Sequence, residues 1–502
     1  MKRGSYIVEK LLTIILNGNT FKYEVEATVK IFYPATQFNI LYDTDLDTIS
    51  GDYVYTNMSV TSDSKTLLNV RVSIKGDSHE ESMTFNSLQE NMKDEFEYHM
   101  CRLIYICLHR LTGKVSAWGL LTGIRPVKKY IKLIQDGLSK GEIISHMKDV
   151  YLVSEKKSNL AYRTAIVQIP ILNSIEPNRV SVYISIPFCT TRCAYCSFVS
   201  HSIESAKKLI PDYIYFLCKE IEIVGELVKK HNLIVDTIYF GGGTPTSLED
   251  FQLRTIMEKV QRCFDLSYVR EYCVEAGRPD TITKSKLEVI KQFGADRISV
   301  NPQTFNDDVL NTIGRKHSAQ QTIDAYNLAR SVGFENINMD LIAGLPSDTL
   351  DSFKHTLDTS IALNPEAITV HTLTLKRSAT LFEDVIGREN VNNPVTNMVD
   401  YSVDRLTSCG YFPYYMYRQK NTADNLENVG YSKPNMESLY NVYIMDEIQT
   451  ILGVGAGAST KLVGGEHNIS RVHNYKFPYE YINRFDELML KKSAIEDFFN
   501  GK

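Results

Sequence analysis

From Ser181 onward the chain repeats one pattern. Six short apolar runs, Val182–Ile186, Thr237–Phe240, Tyr272–Ala276, Arg297–Val300, Asn336–Ile342 and Ala367–Val370, alternate with longer segments. The longer segments carry helical spacing, as in Ile214, Leu217, Ile221, Val224 and Val228. Strands separated by helices pair in parallel, because the helix returns the chain to the starting edge of the sheet. Six such units in succession predict an α/β fold of (β/α)6 type, a partial or complete barrel. In barrels the working residues gather at the C-terminal ends of the strands. Polar or glycine-rich residues lie near every one of these ends. Gly241-Gly242-Gly243-Thr244-Pro245 follows the second run, Glu275 ends the third, and Gln303 lies past the fourth. Asp340 lies within the fifth and Thr374 past the sixth.

The loop after the first run reads Ile186-Pro187-Phe188-Cys189-Thr190-Thr191-Arg192-Cys193-Ala194-Tyr195-Cys196. Its Cys-x3-Cys-x2-Cys spacing concentrates three soft thiolate ligands, with no fourth cysteine close behind. Three thiolates suit a cubane iron–sulfur cluster held at three of its four irons. The fourth iron is then open, as the vacant position of a catalytic zinc site is. Structural zinc is the nearest rival, but zinc sites bring a second Cys or His pair. Buried core thiols and a disulfide are weaker rivals, and nothing marks the chain as secreted. Cys101, Cys107, Cys218, Cys263, Cys273 and Cys409 are scattered in apolar or helical surroundings and read as core.

The 502 residues are enough for two or three domains. A net charge of −5 with 23% charged residues shows no basic stripe, which disfavours nucleic acid as a partner. The apolar run Leu11–Leu16 is too short for a signal segment, and no run approaches a membrane span. The chain is therefore expected to be cytoplasmic. Phe21 to Ile31 alternates with period two and predicts a strand, as does Lys65 to Ile74. Asp94 to Leu111 has helical spacing, and helical sequence continues to about Gln168. Asn173 to Arg179, with Pro177, reads as a linker. The expected division is an N-terminal α+β domain over residues 1–172, the core over 173–410, and a C-terminal extension that covers the substrate over 411–502.

The cysteine spacing followed by Gly-Gly-Gly-Thr-Pro resembles the radical S-adenosylmethionine (SAM) superfamily. Tyr183-x-x-Ile186-Pro187-Phe188-Cys189 and Ile238-Tyr239-Phe240-Gly241-Gly242-Gly243-Thr244-Pro245-Thr246 narrow the likeness to the oxygen-independent coproporphyrinogen III oxidase group. Val274-Glu275-Ala276, Arg297-Ile298-Ser299 with Gln303, Asp340-Leu341-Ile342-Ala343-Gly344-Leu345-Pro346 and Gly453-Val454-Gly455-Ala456-Gly457-Ala458 continue it. Thr122-Gly123-Ile124-Arg125-Pro126, Glu275 to Asp280 and Tyr417-Arg418-Gln419-Lys420 look most like the HemZ type, the coproporphyrinogen dehydrogenase-like branch.

This resemblance implies a radical SAM (β/α)6-type partial barrel, a [4Fe-4S] cluster on Cys189, Cys193 and Cys196, and SAM bound as one or two molecules. The open iron would hold the amino and carboxylate groups of SAM, and a 5′-deoxyadenosyl radical would abstract hydrogen from the substrate. Tyr183, Tyr195, Gly242, Gly243, Thr244 and Glu275 fall where the family contacts SAM. Gln303, Arg315 and Asp340 fall where it contacts a second SAM, and Thr374 is a further candidate. Arg125, Arg278, Arg418 and Lys420 are candidates for holding the propionates of a tetrapyrrole substrate, coproporphyrinogen III or haem. A low-potential donor such as flavodoxin or ferredoxin would supply the electron. The implied reaction is oxidative decarboxylation of coproporphyrinogen III to protoporphyrinogen IX. A haem chaperone or another radical reaction on a tetrapyrrole is the alternative. A fourth cysteine two residues after the third, present in the well-characterised oxidases, is Phe198 here, as in chaperone relatives. The chaperones' His-Asn-x-x-Tyr-Trp signature is met only by Leu439-Tyr440-Asn441-Val442-Tyr443, without the histidine or tryptophan.

Overall fold

A computed structural model of the chain describes residues 11–34, 36–86, 92–196, 201–374, 395–419, 422, 425–465 and 468–501. The six expected strands form as Arg179–Ile186, Ile234–Gly242, Glu271–Gly277, Arg297–Val300, Asn336–Ala343 and Ala367–Thr372. They pair in parallel in chain order. Helices cover them, as the alternating pattern requires. Leu217, Ile221 and Val224 of the helix Ile210–Lys230 share one buried core with Val182, Ile184 and Ile238 of the first two strands.

The sheet continues past both ends of this series. Phe412–Arg418 and Glu427–Ser432 extend it antiparallel beside the sixth strand. Ile451–Val454 pairs in parallel with the first strand, and Ser459–Val463 and Ile469–His473 follow as antiparallel neighbours. Among the described residues the sheet has eleven strands. The Gly453–Ala458 turn explains how the C-terminal part docks. Gly455 has φ +90°, and a Cβ there would meet Tyr213 Oη at 2.6 Å and Ser185 O at 2.7 Å. That close approach lets Ala456 N donate to Tyr213 Oη at 3.0 Å and Ser185 Oγ donate to Ala456 O at 2.7 Å. The end of the first strand is thereby fixed just before the cysteine loop.

Among the described residues the N-terminal part forms a five-stranded sheet. Lys65 to Ile74 is a strand, as Thr66–Ile74, but Phe21 to Ile31 is not. Residues Lys22–Phe32 are a helix. The alternation there conceals a second pattern, because Val25, Thr28, Val29 and Phe32 are the residues that become buried, at helical spacing. Topology decides between the two. The strands Leu11–Asn17 and Gln37–Tyr42 that flank this segment pair in parallel, and a parallel pair needs a crossover, usually a helix. The expected helix at Asp94 to Leu111 forms as Lys93–Thr112 and packs on this sheet.

The helices Val127–Gln135, Lys140–Asp149 and Glu155–Asn173 pack their apolar faces on the fifth and sixth core strands and on the helix Val395–Ser408. A buried polar bridge accompanies them. Lys157 Nζ donates to Asp400 at 2.9 Å and to Glu427 at 2.7 Å, and Trp118 Nε1 donates to the other Glu427 oxygen at 2.7 Å. No described helix is long and apolar enough to cross a membrane.

Candidate functional site

The three-cysteine loop packs directly on the glycine turn that ends the second strand. Gly243 N donates to Ile186 O at 2.8 Å, and Thr244 N donates to Phe188 O at 2.7 Å. The contact is close enough to demand glycine, since a Cβ on Gly243 would lie 2.4 Å from Phe188 O. Cys189 is buried, and Cys193 and Cys196 are half-buried. Thr244 Oγ1 donates to Cys189 Sγ at 3.5 Å, and Arg278 Nη1 donates to Cys193 Sγ at 3.7 Å. Among the described residues no three His, Cys, Asp or Glu side chains converge as they would around a single ion. Ligands of a cubane occupy separate irons. Three soft thiols on one loop, two of them met by an O–H or N–H donor, are a donor set that fits such a cluster.

Beyond the loop, the sequence candidates fall into two groups. The first lies at the rim. Arg315 is buried, and its Nη1 donates to Asn301 O at 2.6 Å. Burial works against its charge, but Tyr195 and Cys193 favour it and hold its pKa above the ordinary value. Tyr195 also packs against Val309, Leu310 and Ile313. Burial and Arg315 push His317 down to about 4, so it is neutral at physiological pH.

The second group lines the bore. Tyr183 and Tyr239 stack with ring centroids 6.2 Å apart, and Tyr440, from the C-terminal helix Leu439–Asp446, stacks on Tyr239 at 4.3 Å. Tyr239 Oη donates to Glu275 at 2.5 Å. Gly241 opens the space beside them, because a Cβ there would lie 2.9 Å from the Tyr239 ring and 3.2 Å from Glu275 Oε2. Burial pushes the Glu275 carboxyl up to about 7, against the Tyr239 hydrogen bond, and the Asp340 charge adds to the rise. Asp340 also suffers burial, yet His371 and Asn338 hold it below the usual carboxylate range. His371 Nε2 is 3.8 Å from Asp340 Oδ1, and Asn338 Nδ2 donates to the same oxygen at 2.8 Å.

Gln303 sits at φ +67°. Its N–H donates to Asp340 O at 2.9 Å and its carbonyl accepts from Ile342 N at 3.0 Å, which stitches the end of the fourth strand to the fifth. Thr374 bridges to Thr422 and donates its hydroxyl to Thr372 O at 3.2 Å.

Of the four cations expected to meet substrate carboxylates, the three among the described residues are otherwise engaged. Arg278 is turned onto the cysteine loop and Asp280. Arg125 pairs with Glu447 at 2.9 Å and donates to Asp446 O. Arg418 donates to Leu121 O and to Asn425 O, and lies over the Trp118 ring. Lys420 and Phe198 lie outside the described residues. Sequence reasoning did not single out Tyr239, His371 or Tyr440. Tyr239 lies two residues before the Gly241 turn and His371 one residue past the run Ala367–Val370, whereas Tyr440 comes from a helix far along the chain and carries no local signal.

The fold and this site define the class of protein. Residues 183–359 match the model of the radical SAM superfamily. The particular branch follows from the relatives. The oxygen-independent coproporphyrinogen-III oxidase-like protein HemZ of Bacillus subtilis (strain 168) is 41% identical over 427 residues, covering 82% of this chain and 84% of that protein. The heme chaperone HemW of the same organism is 31% identical over 334 residues, covering 64% of this chain and 82% of its own. Coproporphyrinogen III oxidase (HemN) from Escherichia coli shares the fold, with a TM-score of 0.51 at 24% identity over 64% of this chain and 72% of that one. The chain belongs to the HemZ type of the radical SAM coproporphyrinogen III oxidase group. A [4Fe-4S] cluster and SAM are the cofactors of such a protein.

Proposed function

We propose that the chain is an enzyme that removes two propionate carboxyls of coproporphyrinogen III by SAM-dependent oxidative decarboxylation, giving protoporphyrinogen IX. The observation that carries this reading is the packing of the three-cysteine loop on the Gly241–Thr244 turn, with the carboxylate of Glu275 beside it. The 41% identity to HemZ points the same way. When bound, the reduced cluster and SAM supply hydrogen-atom abstraction.

The chain's own residues divide the remaining work. Cys189, Cys193 and Cys196 hold the cluster. The backbone of Gly242 and Gly243 and the Thr244 side chain meet the methionine end of SAM, where a side chain at either glycine would intrude. Glu275 accepts from an ammonium or a ribose hydroxyl, and Tyr183 lines the same space. Gln303, Arg315 and Asp340 contact a second SAM, with Tyr195 and Thr374 at the margins. The electron comes from a low-potential donor of the flavodoxin or ferredoxin type.

A second reading, a haem-binding chaperone, is favoured by the 31% identity to HemW and by Phe198 in place of a fourth cysteine. Anaerobic product analysis with reductant and SAM, offering coproporphyrinogen III and haem together, separates the two. The enzyme yields protoporphyrinogen IX and 5′-deoxyadenosine. Stoichiometric haem retention with no porphyrin product would favour the chaperone instead.

A further inference from the structure

Arg278 is only 2% exposed, and its guanidinium is directed at the cysteine loop and the residue that braces it. Nε and Nη2 donate to the Asp280 carboxylate at 3.1 and 3.3 Å. Nη1 donates to Thr191 O at 3.0 Å and to Cys193 Sγ at 3.7 Å. Asp280 in turn accepts from Thr190 Oγ1 at 3.0 Å. Loop residues 190, 191 and 193 are thus held by one ion pair, whose guanidinium is buried and whose carboxylate reaches solvent. The thiols differ in what meets them. Cys193 meets the guanidinium of Arg278, while Cys189 receives the neutral hydroxyl of Thr244.

Burying a guanidinium is a costly way to pin a loop. Neutral amides or hydroxyls would serve Thr191 O and Thr190 Oγ1 equally well. The contact whose strength depends on charge is the one to sulfur. Hydrogen bonds to ligand sulfurs and local charge are what set the potential of an iron–sulfur cluster.

We propose that Arg278 is a positioning residue that raises the reduction potential of the cluster, by holding a fixed positive charge against the Cys193 sulfur. The proposal rests on the assignment of Cys189, Cys193 and Cys196 as cluster ligands. The step concerned is the uptake of one electron by the cluster from an external low-potential donor, which is itself oxidised by one electron; no proton moves. A cation beside the sulfur stabilises the added negative charge, so the donor can reduce the cluster at a milder potential. Asp280 opposes this effect, because its carboxylate screens the guanidinium.

The test is a redox titration of the anaerobically reconstituted full-length protein, followed by the paramagnetic signal of the reduced cluster. Parent, R278Q, R278K and D280N are compared, with iron counted in each. At a fixed potential R278Q is expected to lower the reduced-to-oxidised ratio about tenfold, a fall of about 59 mV for a one-electron couple. R278K keeps the charge but not the fork and should fall less, whereas D280N should move the potential upward. R278Q with full iron and the parental potential would overturn the proposal. If R278Q takes up no iron, R278K and D280N decide, and parental potentials in both would overturn it. A parent protein that takes up no four-iron cluster would instead overturn the ligand assignment, and the proposal with it.

Discussion

Two glutamates on the core of this protein show how burial can be used in opposite ways. Glu220, on the helix Ile210–Lys230, is fully buried and saturated with partners. It accepts from Gly455 N at 2.7 Å, Tyr481 Oη at 2.6 Å and Asn474 Nδ2 at 2.8 Å, and pairs with Lys492 at 2.7 Å. Glu275, on the third strand, lies half-buried at the bore with Tyr239 as its one hydrogen-bond donor among the described residues. The first carboxylate has no acceptor capacity left for a ligand, and its work is to lock the C-terminal turn to the core. The second is left short of donors. An under-satisfied carboxylate in a cleft, pushed up towards neutrality, is the usual condition of a group reserved for a ligand.

The contrast can be broken most directly at Glu220. Glu220→Ala strands the buried Lys492 ammonium, which costs about 3–5 kcal/mol for a buried pair. Denaturant unfolding should show that loss, and a variant as stable as the parent would remove the distinction. Glu275→Gln should do the reverse. Its unfolding free energy should stay within about 1 kcal/mol of the parent, while SAM affinity, read by equilibrium binding to the reconstituted protein, falls about tenfold or about 1.4 kcal/mol. The same variant tests the pH response. In the folded protein Glu275 titrates near 7, above the ordinary 4.5. Between those values the folded state keeps a proton that the unfolded chain has lost, so stability falls as pH rises through that window. Unfolding measured across this range should show that slope in the parent and lose Glu275's share of it in Glu275→Gln; identical slopes would contradict the assignment. The smallest effect is expected from Tyr239→Phe. It removes one hydrogen bond, worth about 0.5–1.5 kcal/mol, and moves the pH midpoint of SAM binding upward, because the lost bond was what held Glu275 down.

Sequence and structure agree where periodicity and topology reinforce each other. The six core strands stood out because each apolar run is bounded by helical spacing, and their ends carried the glycine turn, Glu275 and the cysteine loop. Residues Lys22–Phe32 did not stand out as a helix, because two periodicities overlap there and only the parallel pairing of the flanking strands selects one. Arg278 was legible as a residue of the site but not in its role. A guanidinium beside a predicted tetrapyrrole site suggests a propionate, and only the fold shows it turned onto Thr191 and Cys193. Tyr440 reaches the bore from a helix beyond the sixth core strand, a long-range contact that no local pattern announces.

The central claim is that the loop of Cys189, Cys193 and Cys196 holds a four-iron cluster with one iron left for SAM. Iron analysis and the paramagnetic spectrum of the anaerobically reconstituted, reduced protein, recorded with and without SAM, test it most directly. Four irons per chain, lost when all three cysteines are changed to alanine, with a spectrum altered by SAM, is the predicted result. A spectrum that SAM leaves unchanged, or four irons retained without the cysteines, would contradict it.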